Sequence, residues 1–410
     1  MNQDNKILKI TPDVSWVGVL DKDLKVFDIV METLYGTTYN AYFINAQKKT
    51  IIETVKATFW EPYRQKLEQV CDISEIEYIV LDHTEPDHSG SVPYLLELAP
   101  NATVVGSGQA LNYLSEMMDK PFKSLKVQDG DVLDLGNKKL KFIGAPNLHW
   151  PDSMYTWLEE DRLLFTCDSF GAHFCPVNLL DENEEGYDKA FDHYFDVILR
   201  PFSKFMIRAI EKIRDLPIQA ICTGHGPILH TRWKERVEQS QERSRDYLSF
   251  TGEKKILEVL VLYVSAYGYT KQQAVAIMEG LKENENLNIT CLDVENILGG
   301  DLESALTKAD GILIGSPTIN QNTLLPVYKI FAYINPIRDR LKLAGSFGSF
   351  GWSGEASGII YSNLKALKLK VIEPLAAKFI PNGRKNEEFV EYGRRFGEML
   401  TERNNTSTAS

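Results

Sequence analysis

The run His83-Thr84-Glu85-Pro86-Asp87-His88-Ser89-Gly90 limits what this chain can fold into more than any other stretch. It follows the apolar segment Tyr78-Ile79-Val80-Leu81, which reads as a buried strand. His83, Glu85, Asp87 and His88 then belong to the loop at that strand's C-terminal end. Four potential ligands in six residues crowd a single tetrahedral ion, and their spacing suits two adjacent metals sharing one loop. Imidazole serves zinc and iron alike, whereas added carboxylate favours a harder, redox-capable ion such as iron. A fold that hosts such a pair must bring further ligands to the same rim.

Three more candidates occur in the same context. His149 lies in Leu148-His149-Trp150-Pro151-Asp152-Ser153, after the strand pattern at 139–143. Asp168 follows the pattern at 162–166, and His225, between Gly224 and Gly226, follows the one at 218–222. One histidine after a strand is ordinarily structural. Seven donors from strand ends, gathered on one sheet edge, read as a metal site on a rigid rim. Trp150-Pro151 reads as a stiff turn that aims His149. His193 and His230 take no role in this pattern.

A chain of 410 residues exceeds one ordinary core, and two domains are expected. The net charge of −12 argues against nucleic-acid binding, which needs a basic stripe. No apolar run is long enough to span a membrane, and the N-terminus lacks a signal peptide's apolar segment, so a cytoplasmic location is expected. The five cysteines, Cys71, Cys167, Cys175, Cys222 and Cys291, form no C-x-x-C pair. That pattern excludes a built-in rubredoxin or ferredoxin module and reads as reduced, packed thiols.

The two halves differ in pattern. Up to residue 250, short strands dominate, at 10–20, 38–46, 50–54, 76–81, 103–105, 139–143, 154–158 and 162–166. Helices are expected near 91–98, 108–118 and 202–216. This mixture fits an αββα sandwich of two mixed sheets. After a polar break at 251–255, strands at 257–264, 288–293, 311–314 and 343–347 alternate with helices at 270–282, 301–307, 324–334, 356–367 and 386–401. Regular alternation implies a doubly wound parallel sheet. The expected domains are 1–250 and 254–402, with a polar, frayed tail at 403–410.

Three loops of the second half follow parallel strands. Ser265-Ala266-Tyr267-Gly268-Tyr269-Thr270 links a strand to a helix, and its hydroxyls and backbone N–H groups suit a phosphate. It lacks both the G-K-[ST] of a Walker loop and a G-x-G-x-x-G run. The second loop is Ser316-Pro317-Thr318-Ile319-Asn320, and the third contains Gly348, Phe350, Gly351, Trp352, Ser353 and Gly354. Glycines allow close approach to a flat ring, and an aromatic such as Trp352 can cover a flavin face. Loops after strands 1, 3 and 4 of a doubly wound sheet converge where flavin mononucleotide binds.

The order H-x-E-x-D-H, His149-Trp150-Pro151-Asp152-Ser153, an Asp after a strand, and Gly224-His225-Gly226 resembles the metallo-β-lactamase-like domain of flavodiiron proteins. The phosphate-type loop resembles that of flavodoxins, with Tyr267 in place of a hydroxyl residue. Zinc hydrolases of the lactamase superfamily have a second histidine where Glu85 stands. The resemblance covers about residues 5–400 and includes the segment 36–42. It implies one iron on His83, Glu85 and His149, a second on Asp87, His88 and His225, and Asp168 as the bridge. It further implies second-sphere roles for His173 and Tyr194. A histidine that some members carry near the N-terminus is missing, with Asp28 in that region.

The implied activity is reduction of dioxygen to water, of nitric oxide to nitrous oxide, or of both. Electrons would pass through FMN from an external donor such as rubredoxin, within a head-to-tail homodimer or a dimer of dimers. Two other readings compete: a binuclear-zinc hydrolase with a flavodoxin appendage, and a non-enzymatic flavin electron carrier with a structural metal lobe.

Overall fold

The computed structural model describes residues 6–27, 31–182, 184–250, 254–379 and 382–407. Asp28 lies outside the described residues. The chain divides into two compact units, Met1–Leu248 and Ser249–Ser410.

The first unit stacks a seven-stranded sheet on a five-stranded one. The larger sheet runs in the order Leu8–Lys9, Val14–Trp16, Tyr42–Ile44, Lys49–Ile52, Ile76–Leu81, Thr103–Ser107, Ser124–Val127. It is antiparallel as far as Lys49–Ile52 and parallel beyond it. The smaller sheet runs Val132–Asp134, Lys139–Gly144, Met154–Leu158, Leu163–Cys167, Ala220–Thr223, with only the last pair parallel.

Alternation along each strand builds three apolar layers. Val80 and Val105 face inward and share a core with Phe142, Leu158 and Phe165 of the other sheet. Their neighbours Ile79, Leu81 and Val104 share a cluster with Tyr63, Leu67 and Leu95 from helices Trp60–Val70 and Val92–Leu98. Leu164 and Trp157 join the same cluster as Met206, Ala209, Ile210 and Ile213 of helix Ser203–Ile213. The i, i+3, i+4, i+7 spacing of those four is that of a helix with one buried face. The unit is therefore the expected αββα sandwich.

The second unit is a parallel sheet in the order Leu287–Asp293, Leu257–Tyr263, Gly311–Gly315, Leu343–Phe350, Lys370–Val371, with Leu375–Lys378 also pairing Leu343–Phe350. Numbered along this unit, the order is 2-1-3-4-5, the flavodoxin-like arrangement. Val259, Val261 and Tyr263 point to one face, under helices Tyr269–Leu281 and Arg384–Ser407. Leu260, Leu262 and Val264 point to the other, under Gly299–Lys308, Leu325–Tyr333 and Glu355–Ala366. Both faces of the sheet are thus covered, which is why its strands read as continuous apolar runs.

Several boundaries differ from the sequence reading. The expected strands at 10–20 and 38–46 are each broken, at Val17-Gly18 and Asn40-Ala41, where the chain leaves one pairing partner for another. Helices Trp60–Val70 and Trp233–Phe250 were not legible, because polar side chains blur their apolar stripe, and Tyr187–Tyr194 was missed because its stripe of Tyr187, Ala190, Phe191 and Tyr194 spans only 8 residues. The tail is not frayed throughout: the last helix runs from Arg384 to Ser407. It packs closely on Tyr269–Leu281 through Gly280 and Gly393, where an added Cβ would overlap the carbonyls of Val390 and Ile277.

Overpacking at such a crossing costs about 1–3 kcal/mol. Gly393→Ala should therefore destabilise the second unit by about that amount, read as a lower denaturant midpoint in flavin-release unfolding curves.

Candidate metal centre and flavin loops

The seven metal candidates come together at the strand ends of the first unit. His83 follows Ile76–Leu81 by two residues, and the next residues form the short helix Pro86–Ser89 rather than an open loop, with Glu85 at its N-cap. Asp87 and His88 lie on that helix. Asp168 comes directly after Leu163–Cys167, and His225 after Ala220–Thr223. His149 is on the connection between Lys139–Gly144 and Met154–Leu158.

Two ligand groups result: His83, Glu85, His149 and Asp168 in one, Asp87, His88 and His225 in the other. Asp168 touches both. Its Oδ2 is 3.6 Å from His83 Nε2 and 3.3 Å from His149 Nε2. Its Oδ1 is 3.2 Å from His88 Nε2 and 3.5 Å from His225 Nε2. Glu85 Oε2 lies 3.2 Å from His83 Nε2 and 3.0 Å from His149 Nε2, and Asp87 Oδ2 is 3.1 Å from His225 Nε2. Donors bound at 2.0–2.2 Å to one ion stand about 3.0–3.5 Å apart, which matches these spacings. Although close to imidazoles, both Asp87 oxygens and Asp168 Oδ2 receive no hydrogen bond among the described residues. Their lone pairs are free for a cation.

The charge balance points the same way. Glu53, Asp82, Glu85, Asp87, Asp152 and Asp168 are buried or nearly so. The ion-pair partners recorded for the ligand carboxylates among the described residues are imidazoles, with no lysine or arginine. So many acids out of water need cationic charge beside them. In the metal-free protein His83, His88 and His149, each opposed by burial yet pushed up by neighbouring carboxylates, supply part of it, and burial pushes Glu53 and Asp82 up toward the neutral acid. Burial opposes charge on His149, but Asp168 and Glu85 push it up to about 9. Burial likewise opposes charge on Asp168, yet His88 and His149 hold it well below the usual carboxylate range. The residues present thus fit a pair of divalent ions.

The outer ring nitrogens are fixed by groups the sequence reading missed. His83 Nδ1 lies 3.1 Å from both oxygens of Asp152, which also accepts from Thr84 N at 2.8 Å and Thr84 Oγ1 at 2.7 Å. His225 Nδ1 lies 2.6 Å from the carbonyl of Thr38. Asp152 stands three residues after His149 in the same motif, and that was its available signal.

His173 and Tyr194 are both buried against the centre. The His173 ring lies 4.8 Å from that of His225 and 4.9 Å from that of Tyr194, and its Nδ1 is 2.9 Å from Thr37 Oγ1. Burial, then His225, holds His173 well below its ordinary pKa, so it is neutral. Burial and the adjacent Asp168 carboxylate keep the Tyr194 phenol protonated. Solvent reaches the centre on one side only: the side chains of Glu85 and His149 are 13% and 18% exposed, those of the other five ligands at most 5%. Cys167 is buried, and all five cysteines are free thiols.

In the second unit, Ser265, Ala266, Tyr267 and Gly268 connect Leu257–Tyr263 to helix Tyr269–Leu281, with Gly268 at the N-cap and φ 81. Ser265 Oγ accepts from Lys271 N at 3.3 Å. Thr270 Oγ1 lies 2.9 Å from Ser349 Oγ, tying the first loop to the fourth strand. Ser316, Pro317, Thr318, Ile319 and Asn320 follow Gly311–Gly315, and Thr318 N donates to Ser349 O at 2.8 Å. The third group needs a correction. Gly348 and Phe350 belong to strand Leu343–Phe350, which runs longer than expected, so the loop itself is Gly351, Trp352, Ser353 and Gly354. These segments meet at the C-terminal edge of the sheet, where Tyr267 and Trp352 are 79% and 82% exposed. Two aromatic rings left bare beside a helix N-terminus and glycine-rich turns suit a flat, phosphate-bearing ligand.

This pairing of an αββα unit carrying a carboxylate-rich dimetal rim with a flavodoxin-like unit defines a class of two-module metalloflavoproteins. A family model described as "ODP family beta lactamase" matches residues 37–226. The chain is 40% identical over 400 residues to flavo-diiron protein FprA2 of Clostridium acetobutylicum, covering 96% of this chain and 99% of that one. Among solved structures it resembles rubredoxin oxygen:oxidoreductase from Desulfovibrio gigas, with TM-score 0.73, 26% identity and coverage of 97% and 99%. The flavodiiron protein of Giardia intestinalis matches with TM-score 0.69, 26% identity and 98% coverage of both chains. The chain belongs to the flavodiiron protein family, whose members are oxidoreductases carrying FMN and a diiron centre. No helix among the described residues is long and apolar enough to cross a membrane.

Removing the partner of a ligating imidazole typically costs 10–100-fold in metal affinity. Asp152→Asn should weaken one ion by about that factor, measured by competition with a chromophoric chelator. Trp352→Ala should weaken flavin binding several-fold in a fluorescence titration and leave metal content unchanged.

Proposed function

We propose that this chain reduces dioxygen to water, nitric oxide to nitrous oxide, or both, at a diiron centre held by His83, Glu85, Asp87, His88, His149, Asp168 and His225. The observation that carries this reading is the division of Asp168: one carboxylate oxygen faces each ligand group. A shared carboxylate keeps two metals adjacent, as side-by-side or bridging capture of a diatomic gas requires. When bound, the irons supply electrons and open coordination positions, and FMN supplies electrons one at a time.

The chain's own residues do the rest. Glu85 puts negative charge where hydrolases of this superfamily have imidazole, which favours the oxidised metal state. The partly exposed Glu85–His149 side gives small molecules their approach. Both reactions consume protons, and Tyr194 holds one on its hydroxyl beside Asp168, while neutral His173 packs behind it. The loops at 265–270, 316–320 and 351–354 are the proposed FMN site, together with Gly348 and Phe350 at the end of the fourth strand. The reading includes a head-to-tail homodimer that brings one chain's flavin to the partner's irons, and an external donor of the rubredoxin kind, since no C-x-x-C pair is present to carry electrons within the chain.

Chelation under reducing conditions should abolish gas reduction while the flavin absorbance persists. Ferrous iron should restore turnover. Zinc should refill the site without restoring it. Turnover that survives metal removal, or that zinc restores equally, would overturn the reading.

A further inference from the structure

Of the buried imidazoles in the metal rim, His88 alone has no described partner on its outer nitrogen: His83 has Asp152 and His225 has the Thr38 carbonyl, whereas His88 Nδ1 is buried and receives nothing. Glu53 is 2% exposed and stands just past strand Lys49–Ile52. One of its oxygens, Oε1, accepts from the backbone N–H of Asp82 at 2.6 Å and of His83 at 3.2 Å. The other, Oε2, is buried without a partner. Glu53 and His88 present donor atoms within 4.8 Å of one another, together with Cys167. The thiol of Cys167 is a poor acceptor.

The chain next to Glu53 grips the same ligand. Thr54 donates to the His88 carbonyl from its backbone N at 2.8 Å and from its hydroxyl at 2.5 Å. Glu53 itself is held at φ 59, in the left-handed region that non-glycine residues rarely adopt. Strain of this kind persists where the surroundings over-determine it, and it concentrates at functional sites.

We propose that Glu53 is a positioning residue for His88: its Oε2 accepts the Nδ1 proton and so aims Nε2 at the ion shared with Asp87 and His225. Metal on Nε2 leaves the proton on Nδ1, so the bond can run only in that direction. Residues 53 and 54 then hold the ligand segment 82–88 at its two ends, Glu53 at Asp82-His83 and Thr54 at His88. The inference rests on the dimetal reading, and it assigns separate supports to the two ions: Asp152 to the ion of His83, Glu53 to the ion of His88.

The test is a cobalt(II) titration of the metal-free full-length protein against a competing chelator. Wild type should bind two ions. Glu53→Gln keeps an oxygen for the backbone bonds but turns an amide toward His88. It should bind one ion as wild type does and the other about 10–100-fold more weakly. Combining it with Asp152→Asn should weaken both. In cobalt-loaded wild type, proton NMR should show a slowly exchanging, hyperfine-shifted N–H from His88, and it should vanish in Glu53→Gln while those of His83 and His225 remain. The wild-type spectrum stands even where the variant folds poorly, and no protected His88 N–H there would overturn the proposal. So would unchanged affinity for both ions in Glu53→Gln. Failure of wild type to bind two ions would instead sink the dimetal reading, and the proposal with it.

Discussion

The whole arrangement depends on one buried carboxylate placed where two sheets meet. Asp168 directly follows a strand of the smaller sheet, and the groups it faces come from both sheets. An anion in that position is tolerable only with cationic charge on both of its oxygens. In the metal-free protein His88 and His149 hold Asp168 ionised, one facing each oxygen, and a metal pair bound there would take over that role. The sandwich can therefore be understood as a frame that brings strand ends into register around one aspartate. Its rigidity comes from the apolar layer of Val80, Val105, Phe142 and Phe165 beneath the rim.

The second unit solves a different problem with a different sheet. A parallel sheet covered on both faces leaves only its edges for binding, and the C-terminal edge gathers the first and second loops with the end of the fourth strand. The hydrogen bonds Thr270–Ser349 and Thr318–Ser349 tie these segments together, so the cradle does not depend on a ligand to define it. Exposed Tyr267 and Trp352 remain at the rim of the proposed flavin site.

How much of this was legible depended on whether the signal was local. His83, Glu85, Asp87 and His88 announce themselves within one motif, and His149, Asp168 and His225 follow from the rule that sites gather at strand ends. The doubly wound unit was legible because each of its strands is a clean apolar run. Glu53 carried no comparable signal. It is one acid after an apolar strand, and its meaning comes only from a partner 35 positions away that folding brings beside it. Asp152 was hidden by a more conspicuous neighbour, His149. Helix Trp233–Phe250 was missed because its stripe is diluted by charge, and the last helix because its polar end looks like a tail.

The most direct test of the account is metal analysis of protein purified from iron-replete cells, combined with electron paramagnetic resonance of the half-reduced form. The account predicts about two irons per chain, magnetically coupled through the shared carboxylate. Two zinc ions per chain, or two irons with independent signals, would contradict it.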